Sequence, residues 1–244
     1  MHPNSTTLDD VDAVLLDLGG VFYLPAHVPM RRALARFDVE IEPDALDRAH
    51  YSGIAALTND GRIGHHSDGR AIWHAYHRAY ASACGVEAPH LDDAAAALLG
   101  EFQGGDVWTR RIPGAREALS ALSARGYRLA VVSNADGTVE EQLRVDGLCQ
   151  VGPGAGVSVG IVLDSTAVGV AKPDPGIFRL ALDALQVAPE RTIHVGDTPA
   201  ADVAGARAAG IRPVLVDPFD LHPDAACLRV TSLAAVVDLL PHVV

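Results

Sequence analysis

The sequence predicts an α/β fold in which a parallel sheet is interrupted by a long helical segment. The first observation is a short apolar run that ends at Asp17 and is followed by two glycines. The second is an alternation of apolar strands with amphipathic helices from residue 113 onward, which is typical of a doubly wound parallel sheet. The third is the stretch between them, about eighty residues whose apolar positions recur only at helical spacing.

The first apolar run covers residues 14–16 and ends in Asp17, with Gly19 and Gly20 close behind. A run of this length next to glycine is typical of a buried strand in a parallel sheet. An acid at the carboxyl end of such a strand faces the crevice where open α/β sheets bind their ligands. Taken alone, however, a strand followed by an Asp-Gly turn is common without any function.

The segment after this strand is predicted to be an inserted, all-helical cap over residues 23–105. No strand is predicted within it. Pro43 suits a first helical turn, and Gly85 lies where a helix is expected to stop. The four predicted helices cover residues 29–37, 43–57, 67–84 and 91–102.

Residues 1–22 and 106–244 are predicted to form the core, a three-layer Rossmann-like arrangement of helices around a parallel sheet. Asp174 is expected to cap one of its helices, with Pro175 at the first helical position. The predicted helices are 115–124, 139–145, 174–185, 199–209 and 233–240, and the predicted strands after the first are 127–133, 159–163, 192–195 and 213–216.

Composition argues against several classes of function. The net charge of −12 disfavours a nucleic-acid partner or an anionic membrane, because both attract basic surfaces. The three cysteines are odd in number and widely spaced, which favours a reducing compartment over a disulfide framework. The first residues do not resemble a signal peptide, and no apolar run reaches the roughly 18 residues of a membrane span. We therefore expect a cytoplasmic protein, monomeric or homodimeric.

Three further segments place polar groups where a strand ends or a helix begins. Ser133 and Asn134 end one predicted strand, and Lys172 stands just before a capped helix. Asp197 ends another strand, and Asp202 follows five residues later. Each of these residues alone could be a turn residue, a helix cap or a solvated charge.

Together the polar groups form a specific chemical set, since the carboxyl ends of parallel strands meet at one edge of a sheet. Clustered carboxylates are the ligands that a hard cation such as Mg²⁺ prefers. A lysine, a hydroxyl and the free N–H groups of helix starts suit a phosphoryl group. A carboxylate facing the phosphorus can act as a nucleophile and form an acyl-phosphate.

In order and spacing, these segments resemble the haloacid dehalogenase-like hydrolase superfamily, in the branch with a helical cap after the first core strand. The most specific parts are Lys-Pro-Asp-Pro-Gly-Ile-Phe from residue 172 and Val-Gly-Asp-Thr-Pro-Ala-Ala-Asp from residue 195. The resemblance covers nearly the whole chain. It implies a phosphatase-type hydrolase that uses Mg²⁺ and acts on a small phosphorylated substrate through an aspartyl-phosphate.

The resemblance also implies roles for the metal-binding positions. Asp17 would be the nucleophile and a ligand of Mg²⁺, and the carbonyl of Gly19 would be a second ligand. Asp197 would complete the metal shell. Asp202 matches the acidic position that supports this shell and is counted with the metal site.

On the substrate side, the resemblance implies that Ser133 binds the phosphoryl oxygens with Asn134 close by. Lys172 would stabilise the charge that the nucleophile and the phosphoryl group share. Gly20, in the turn after the nucleophile, is expected to contact the substrate through its backbone. Ser133 and Lys172 are thus expected to act in catalysis together with Asp17.

The chain departs from the family pattern at Gly19, where phosphatases usually carry a second Asp that protonates the leaving group and then activates water. Losing a general acid–base group costs about 10²–10⁴-fold in rate. Three interpretations remain open. The protein is a phosphatase that tolerates Gly19, a metal-independent 2-haloacid dehalogenase, or a catalytically silent member that binds a phosphorylated ligand or a protein.

Several histidines and one tyrosine are secondary candidates. His65, His66 and Tyr23 are possible replacements for the missing acid, with surface exposure as the alternative for the two histidines. His74 and His77 are expected to belong to aromatic packing of a helix rather than to a metal site, because no third ligand is evident. His194 is expected to be a core histidine rather than a catalyst.

Overall fold

The computed structural model describes residue 8 and residues 10–59, 69–104 and 107–242 of the 244-residue chain. Two compact units make up the structure. The first, which we call the core unit, consists of Met1–Phe22, Pro113–Pro218 and Ala225–Val244. The second, the helical unit, consists of Tyr23–Ile112 and Phe219–Asp224.

Strands and helices are numbered in chain order. The described strands are β1 (Ala13–Leu16), β2 (Tyr23–Leu24), β3 (Arg110–Arg111), β4 (Arg128–Ser133), β5 (Cys149–Val151), β6 (Val157–Val159), β7 (Ile161–Asp164), β8 (Thr192–Gly196), β9 (Arg212–Val216) and β10 (Leu228–Val230). The described α-helices are α1 (His27–Leu34), α2 (Pro43–Asn59), α3 (Gly69–Ala83), α4 (Leu91–Gly104), α5 (Ala115–Ala124), α6 (Val139–Val145), α7 (Ser165–Val168), α8 (Pro175–Leu185), α9 (Ala204–Ala208) and α10 (Leu233–Leu239).

The core unit is built on a six-stranded sheet in the order β10-β9-β8-β1-β4-β7, in which every pair is parallel. β1 lies between β4 and β8, and its Leu16 is level with Val131 and Val195 of those strands. All four residues of β1 are fully buried. Because successive side chains point to opposite faces, both faces of the sheet must be covered at β1. The predicted α/β fold with a parallel sheet is confirmed.

Helix α8 covers one face of this sheet. Its residues Ile177 and Phe178 belong to the same buried cluster as Leu15 of β1 and Val132 of β4. Asp174 caps the helix, as predicted, because its Oδ1 accepts a hydrogen bond of 2.7 Å from the N–H of Gly176. This cap fixes the start of α8 at Pro175, three residues after Lys172.

Two of the predicted core elements are wrong in detail. The strand predicted at 159–163 is two strands, because β6 ends before Gly160 and β7 begins after it. The N–H of Gly160 itself donates to the carbonyl of Leu129. The helix predicted at 199–209 begins as a π-helical turn, Pro199–Val203, before it continues as α9. π-Helical turns recur at functional sites, and this one contains Asp202.

Helices α1 to α4 form the helical unit, with a buried cluster that includes Met30, Leu34, Tyr76, Tyr80 and Leu98. The prediction that residues 23–105 hold no strand is wrong, because β2 lies within them and pairs antiparallel with β3, which follows them. Strands of two residues are too short to show any periodicity in a sequence. None of the helices in the described ranges is long and apolar enough to span a membrane.

The segment Phe219–Asp224 lies in the helical unit although it connects two strands of the core sheet. The ring of Phe219 lies 5.6 Å from the ring of Tyr51, and the guanidinium carbon of Arg48 lies 4.5 Å from the Phe219 ring centre. This aromatic and cation–π packing ties the segment to α2.

Candidate active site

Asp17 is the first residue after β1 and is almost fully buried. Its N–H donates a hydrogen bond of 2.9 Å to the carbonyl of Val195 on the neighbouring strand β8. The sheet thus fixes the backbone of Asp17 at the carboxyl edge of its central strand. This edge is where parallel α/β sheets bind their ligands.

Lys172 reaches this carboxylate from the loop before α8. Its Nζ lies 2.7 Å from Oδ1 of Asp17 and 2.6 Å from Oδ1 of Asp202. The lysine side chain is 2% exposed, so these bonds form away from water, where charge interactions are strong. Lys172 is also the only lysine in the sequence, since the other basic residues are arginines.

Asp197 and Asp202 are brought together by the turn that follows β8. The hydroxyl of Thr198 donates to Oδ1 of Asp197 at 2.9 Å, and the N–H of Thr198 donates to Oδ2 of Asp202 at 2.9 Å. The π-helical turn returns Asp202 to the end of the strand. One threonine therefore orients both carboxylates.

Two glycines allow the backbone to approach these acids. A Cβ atom on Gly20, whose φ is +66°, would lie 2.1 Å from Oδ2 of Asp197. A Cβ atom on Gly196 would lie 2.3 Å from Cγ of Asp202. Any larger residue at either position would displace a carboxylate of the cluster.

Ser133 and Asn134 follow at the end of β4, next to β1. Ser133 is buried and level with Asp164 of β7. The side-chain amide of Asn134 forms two hydrogen bonds with the backbone of Lys172. It donates to the Lys172 carbonyl at 2.9 Å and accepts from the Lys172 N–H at 2.8 Å. The structure thus joins Asn134 to the backbone of the lysine.

Burial and charge shift the ionisation of these groups. Burial, helped by the charge of Asp202, raises the pKa of Asp17 to about 7 against the attraction of Lys172. Burial acts in the same direction on Asp202, but Lys172 and His194 outweigh it and hold its pKa well below the usual range. Burial also opposes the charge of Lys172, yet the two carboxylates raise its pKa to about 12.

The donor set fits a divalent cation. Oxygen atoms of Asp17, Asp197 and Asp202 all lie within 4.8 Å of one another, and all three residues are buried. When all three are ionised, Lys172 balances one of their charges, and a divalent cation would balance the other two. Carboxylate oxygens are the ligands that Mg²⁺ prefers. Gly19 lies half-buried two residues beyond Asp17.

Three further residues belong to this site and were not predicted to do so. The Nε2 atom of His194, in β8, lies 2.8 Å from Oδ1 of Asp202. Thr198 orients the two acids, and Asp164 accepts hydrogen bonds from the N–H groups of Gly137 and Thr166, which fixes the loop after Asn134. Of these three residues, only Thr198 has a signal in the sequence, because it follows Asp197 directly.

The structure describes some of the secondary candidates and not others. His65 and His66 lie outside the described residues. Tyr23 is fully buried in β2 of the helical unit. His77 is buried and stacks on Trp73 at 6.0 Å, whereas His74 is half-exposed and lies 3.3 Å from Asp92. Among the described residues, only the three aspartates at 17, 197 and 202 form a group that could hold a metal ion.

The sequence was compared with known proteins. A family model of haloacid dehalogenase-like hydrolases matches residues 11–210. Phosphoserine phosphatase of Thermus thermophilus is 42% identical over 105 residues, which span 43% of this chain and 40% of that protein. Haloacid dehalogenase-like hydrolase domain-containing protein 3 of Homo sapiens is 32% identical over 187 residues, which span 73% of this chain and 69% of that protein.

The fold was compared with solved structures. The putative HAD-hydrolase YfnB from Bacillus subtilis, bound to magnesium, matches with a TM-score of 0.59 and 17% identity, over 94% of this chain and 98% of that chain. At this identity the likeness concerns the fold alone. The sequence matches cover 40%, 46% and 47% of three curated relatives, so the chain spans less than half of their length. Because the family model covers most of its length, the chain belongs to the haloacid dehalogenase-like hydrolases.

Proposed function

We propose that the protein is a Mg²⁺-dependent phosphatase that hydrolyses a small phosphomonoester through an aspartyl-phosphate on Asp17. The observation that carries this proposal is the position of Lys172, whose ammonium group bridges Asp17 and Asp202 at the carboxyl edge of the sheet. A buried cation beside a carboxylate favours the charged, nucleophilic form of that carboxylate and offsets the charge of an incoming phosphoryl group.

In the first step, a carboxylate oxygen of Asp17 attacks the phosphorus, the bond from phosphorus to the leaving oxygen breaks, and that oxygen takes a proton from solvent. In the second step, water attacks the same phosphorus and loses a proton to solvent, and the bond from phosphorus to the Asp17 oxygen breaks, which releases phosphate and restores the carboxylate. Lys172 stabilises the charge in both steps, and the hydroxyl of Ser133 donates to a phosphoryl oxygen. Mg²⁺, held by Asp17, Asp197 and the Gly19 carbonyl, would supply further positive charge at the phosphoryl oxygens.

Asp202 supports the site in this proposal rather than ligating the metal through Oδ1. That oxygen already accepts bonds from Lys172 and His194, which use both of its lone pairs. Oδ2 accepts one bond, from the N–H of Thr198. Asp202 therefore serves mainly to hold Lys172.

Gly19 bears on the choice of substrate. It offers no proton to the leaving group, so a substrate whose leaving group is stable as an anion would react faster than an alkyl phosphate. The names of relatives support small phosphomonoesters as the class, including phosphoserine, phosphoglycolate and glyceraldehyde 3-phosphate phosphatases. We assign the selection among them to the helical unit as a cap. The cytoplasmic location and the monomeric or homodimeric state remain predictions.

The test is phosphate release from a panel of phosphomonoesters, measured with Mg²⁺ and with EDTA, for the wild type and for Asp17→Asn. We expect turnover that requires Mg²⁺ and is lost in the variant. Acid-quenched enzyme should carry phosphate on Asp17, detectable by mass spectrometry.

The same panel separates the other interpretations. Halide release from a 2-haloacid that EDTA does not diminish would show that the protein is a dehalogenase and that the phosphatase proposal is wrong. Absence of both activities, together with binding of phosphate to the wild type, would identify a silent member of the family.

A further inference from the structure

His194 occupies a place at the active site that the proposed reaction does not use. It lies in β8 and is fully buried. Its ring meets the ring of Phe178 edge-on, with centres 4.9 Å apart and an interplanar angle of 82°. Phe178 belongs to α8, the helix that begins three residues after Lys172. The imidazole is thus held in one orientation by the helix and the sheet.

The imidazole is bonded to the acid that holds the lysine. Nε2 of His194 lies 2.8 Å from Oδ1 of Asp202, and Nζ of Lys172 lies 2.6 Å from the same oxygen. Burial lowers the pKa of His194 more than its bond to Asp202 raises it. Because an ionised carboxylate can only accept hydrogen bonds, Nε2 carries a proton and donates to Oδ1. His194 thus completes the bonds of Oδ1 beside Lys172.

Asp202 is therefore fixed by three donors, namely His194 and Lys172 on Oδ1 and the Thr198 N–H on Oδ2. Without His194, one lone pair of a buried carboxylate would lose its partner. Losing this bond costs free energy, and the carboxylate would rotate toward its remaining donors and move the ammonium group that is bonded to it. The distance from Lys172 to Asp17 would change with it.

We propose that His194 is a positioning residue, which acts through Asp202 to hold the ammonium group of Lys172 beside Asp17. Its effect on catalysis rests on the phosphatase activity proposed above. If His194 only fills the core, an apolar residue of similar length in its place should leave kcat unchanged. If His194 is a positioning residue, only a residue that donates a hydrogen bond from the same point should preserve kcat.

The chain offers variants that separate these roles. His194→Met keeps length and apolar volume and removes the donor. His194→Gln places an amide N–H close to the point where Nε2 lies, so it should rescue the contact. The control is Thr192→Val, because Thr192 is buried on the same side of β8 and its hydroxyl donates to the carbonyl of Ala188 at 2.9 Å.

Two measurements are made on each variant. Steady-state kinetics should show that His194→Met lowers kcat about 10- to 100-fold with little change in KM, as expected for a bond to a charged group that acts in the transition state. His194→Gln should recover most of this loss. Thr192→Val should lower the unfolding temperature and leave kcat unchanged.

The second measurement does not depend on turnover. Because Lys172 is the only lysine, lysine labelled with ¹³C at Cε and ¹⁵N at Nζ gives one reporter of its position. The NMR signal should shift in His194→Met and lie near the wild-type position in His194→Gln and Thr192→Val.

The outcomes are distinct. An unshifted lysine signal in folded His194→Met, or a Gln variant as impaired as the Met variant, overturns the proposal. A shifted signal with unchanged kcat overturns it as well. If the wild type hydrolyses no phosphomonoester, the phosphatase proposal fails, and the lysine signal alone decides whether His194 positions Lys172.

Discussion

The ammonium group of Lys172 lies 2.7 Å from a carboxylate oxygen of Asp17, and the two side chains are 2% and 11% exposed. The bond joins a loop before α8 to the end of the central strand. Water is largely excluded from it, so the charge of the lysine acts on Asp17 with little screening.

Replacement of Lys172 by Met should lower kcat by about 10²–10³-fold, the usual cost of removing one group that stabilises developing charge. Lys172→Arg should not restore the rate, because a planar guanidinium does not fit where a compact ammonium group bridges two carboxylates. Steady-state kinetics with saturating Mg²⁺ measure the effect. Full activity of the arginine variant would show that charge suffices and position does not matter.

Introducing the missing acid should change the preference for leaving groups. Gly19→Asp should raise the hydrolysis of alkyl phosphates by about 10²-fold or more and have a smaller effect on 4-nitrophenyl phosphate, whose leaving group needs no proton. The φ of Gly19 lies outside the left-handed region, so the backbone accepts a side chain. The ratio of kcat/KM for the two substrates is the measurement.

The matched control for this variant is Gly19→Asn, which has nearly the same size and no proton to give. If the Asn and Asp variants alter the ratio equally, the effect comes from packing or polarity, and general acid catalysis is not its cause.

Gly20→Ala should weaken Mg²⁺ binding and lower the unfolding free energy by about 1–3 kcal/mol through backbone strain alone. The added Cβ would also collide with Asp197. Gly147→Ala is the control, since Gly147 has a similar φ of +63° and open space around the added atom. Calorimetric titration with Mg²⁺ should show a loss of affinity only for Gly20→Ala. Equal affinities would mean that Asp197 tolerates displacement.

Acidification should destabilise the helical unit through His77. Burial lowers the pKa of His77 to about 4, against 6.5 for the free side chain, so the unfolded state binds a proton at a higher pH than the folded state. This contribution to stability is complete above pH 6.5 and is lost as the pH falls toward 4. Between pH 7 and pH 5 the loss should be about 2 kcal/mol.

Urea denaturation at both pH values, followed by tryptophan fluorescence, tests this expectation. Both tryptophans, Trp73 and Trp108, lie in the helical unit, so the signal reports on that unit. His77→Phe should show a smaller pH dependence, whereas His90→Gln, at an exposed position, should behave as the wild type does. An unchanged pH dependence in His77→Phe would assign the effect to other groups.

The sequence predicted the parallel sheet and most core helices because strand and helix periods alternate clearly after residue 113. Proximity of Asp17, Lys172 and Asp197 was also predictable, since each follows a strand or precedes a capped helix, and Asp202 lies only five residues beyond Asp197. The structure brings these four together.

The bonds among them were not predictable. His194 lies within an apolar strand and looks like any core residue in the sequence, because its contact with Asp202 depends on the π-helical turn. The amide of Asn134 had no sequence signal that directed it to the peptide of Lys172. Contacts between residues distant in the chain follow from tertiary packing, which periodicity does not encode.

The helical unit is not a single insertion, because it also contains Phe219–Asp224, the segment between β9 and β10 in the chain. A chimera that exchanges residues 23–112 with those of a relative would leave Phe219 facing a foreign helix in place of Tyr51 and Arg48. Grafts meant to transfer substrate preference should therefore carry both segments. Natural exchange of such a unit by recombination would likewise require two coordinated segment exchanges, each with a crossover at both ends.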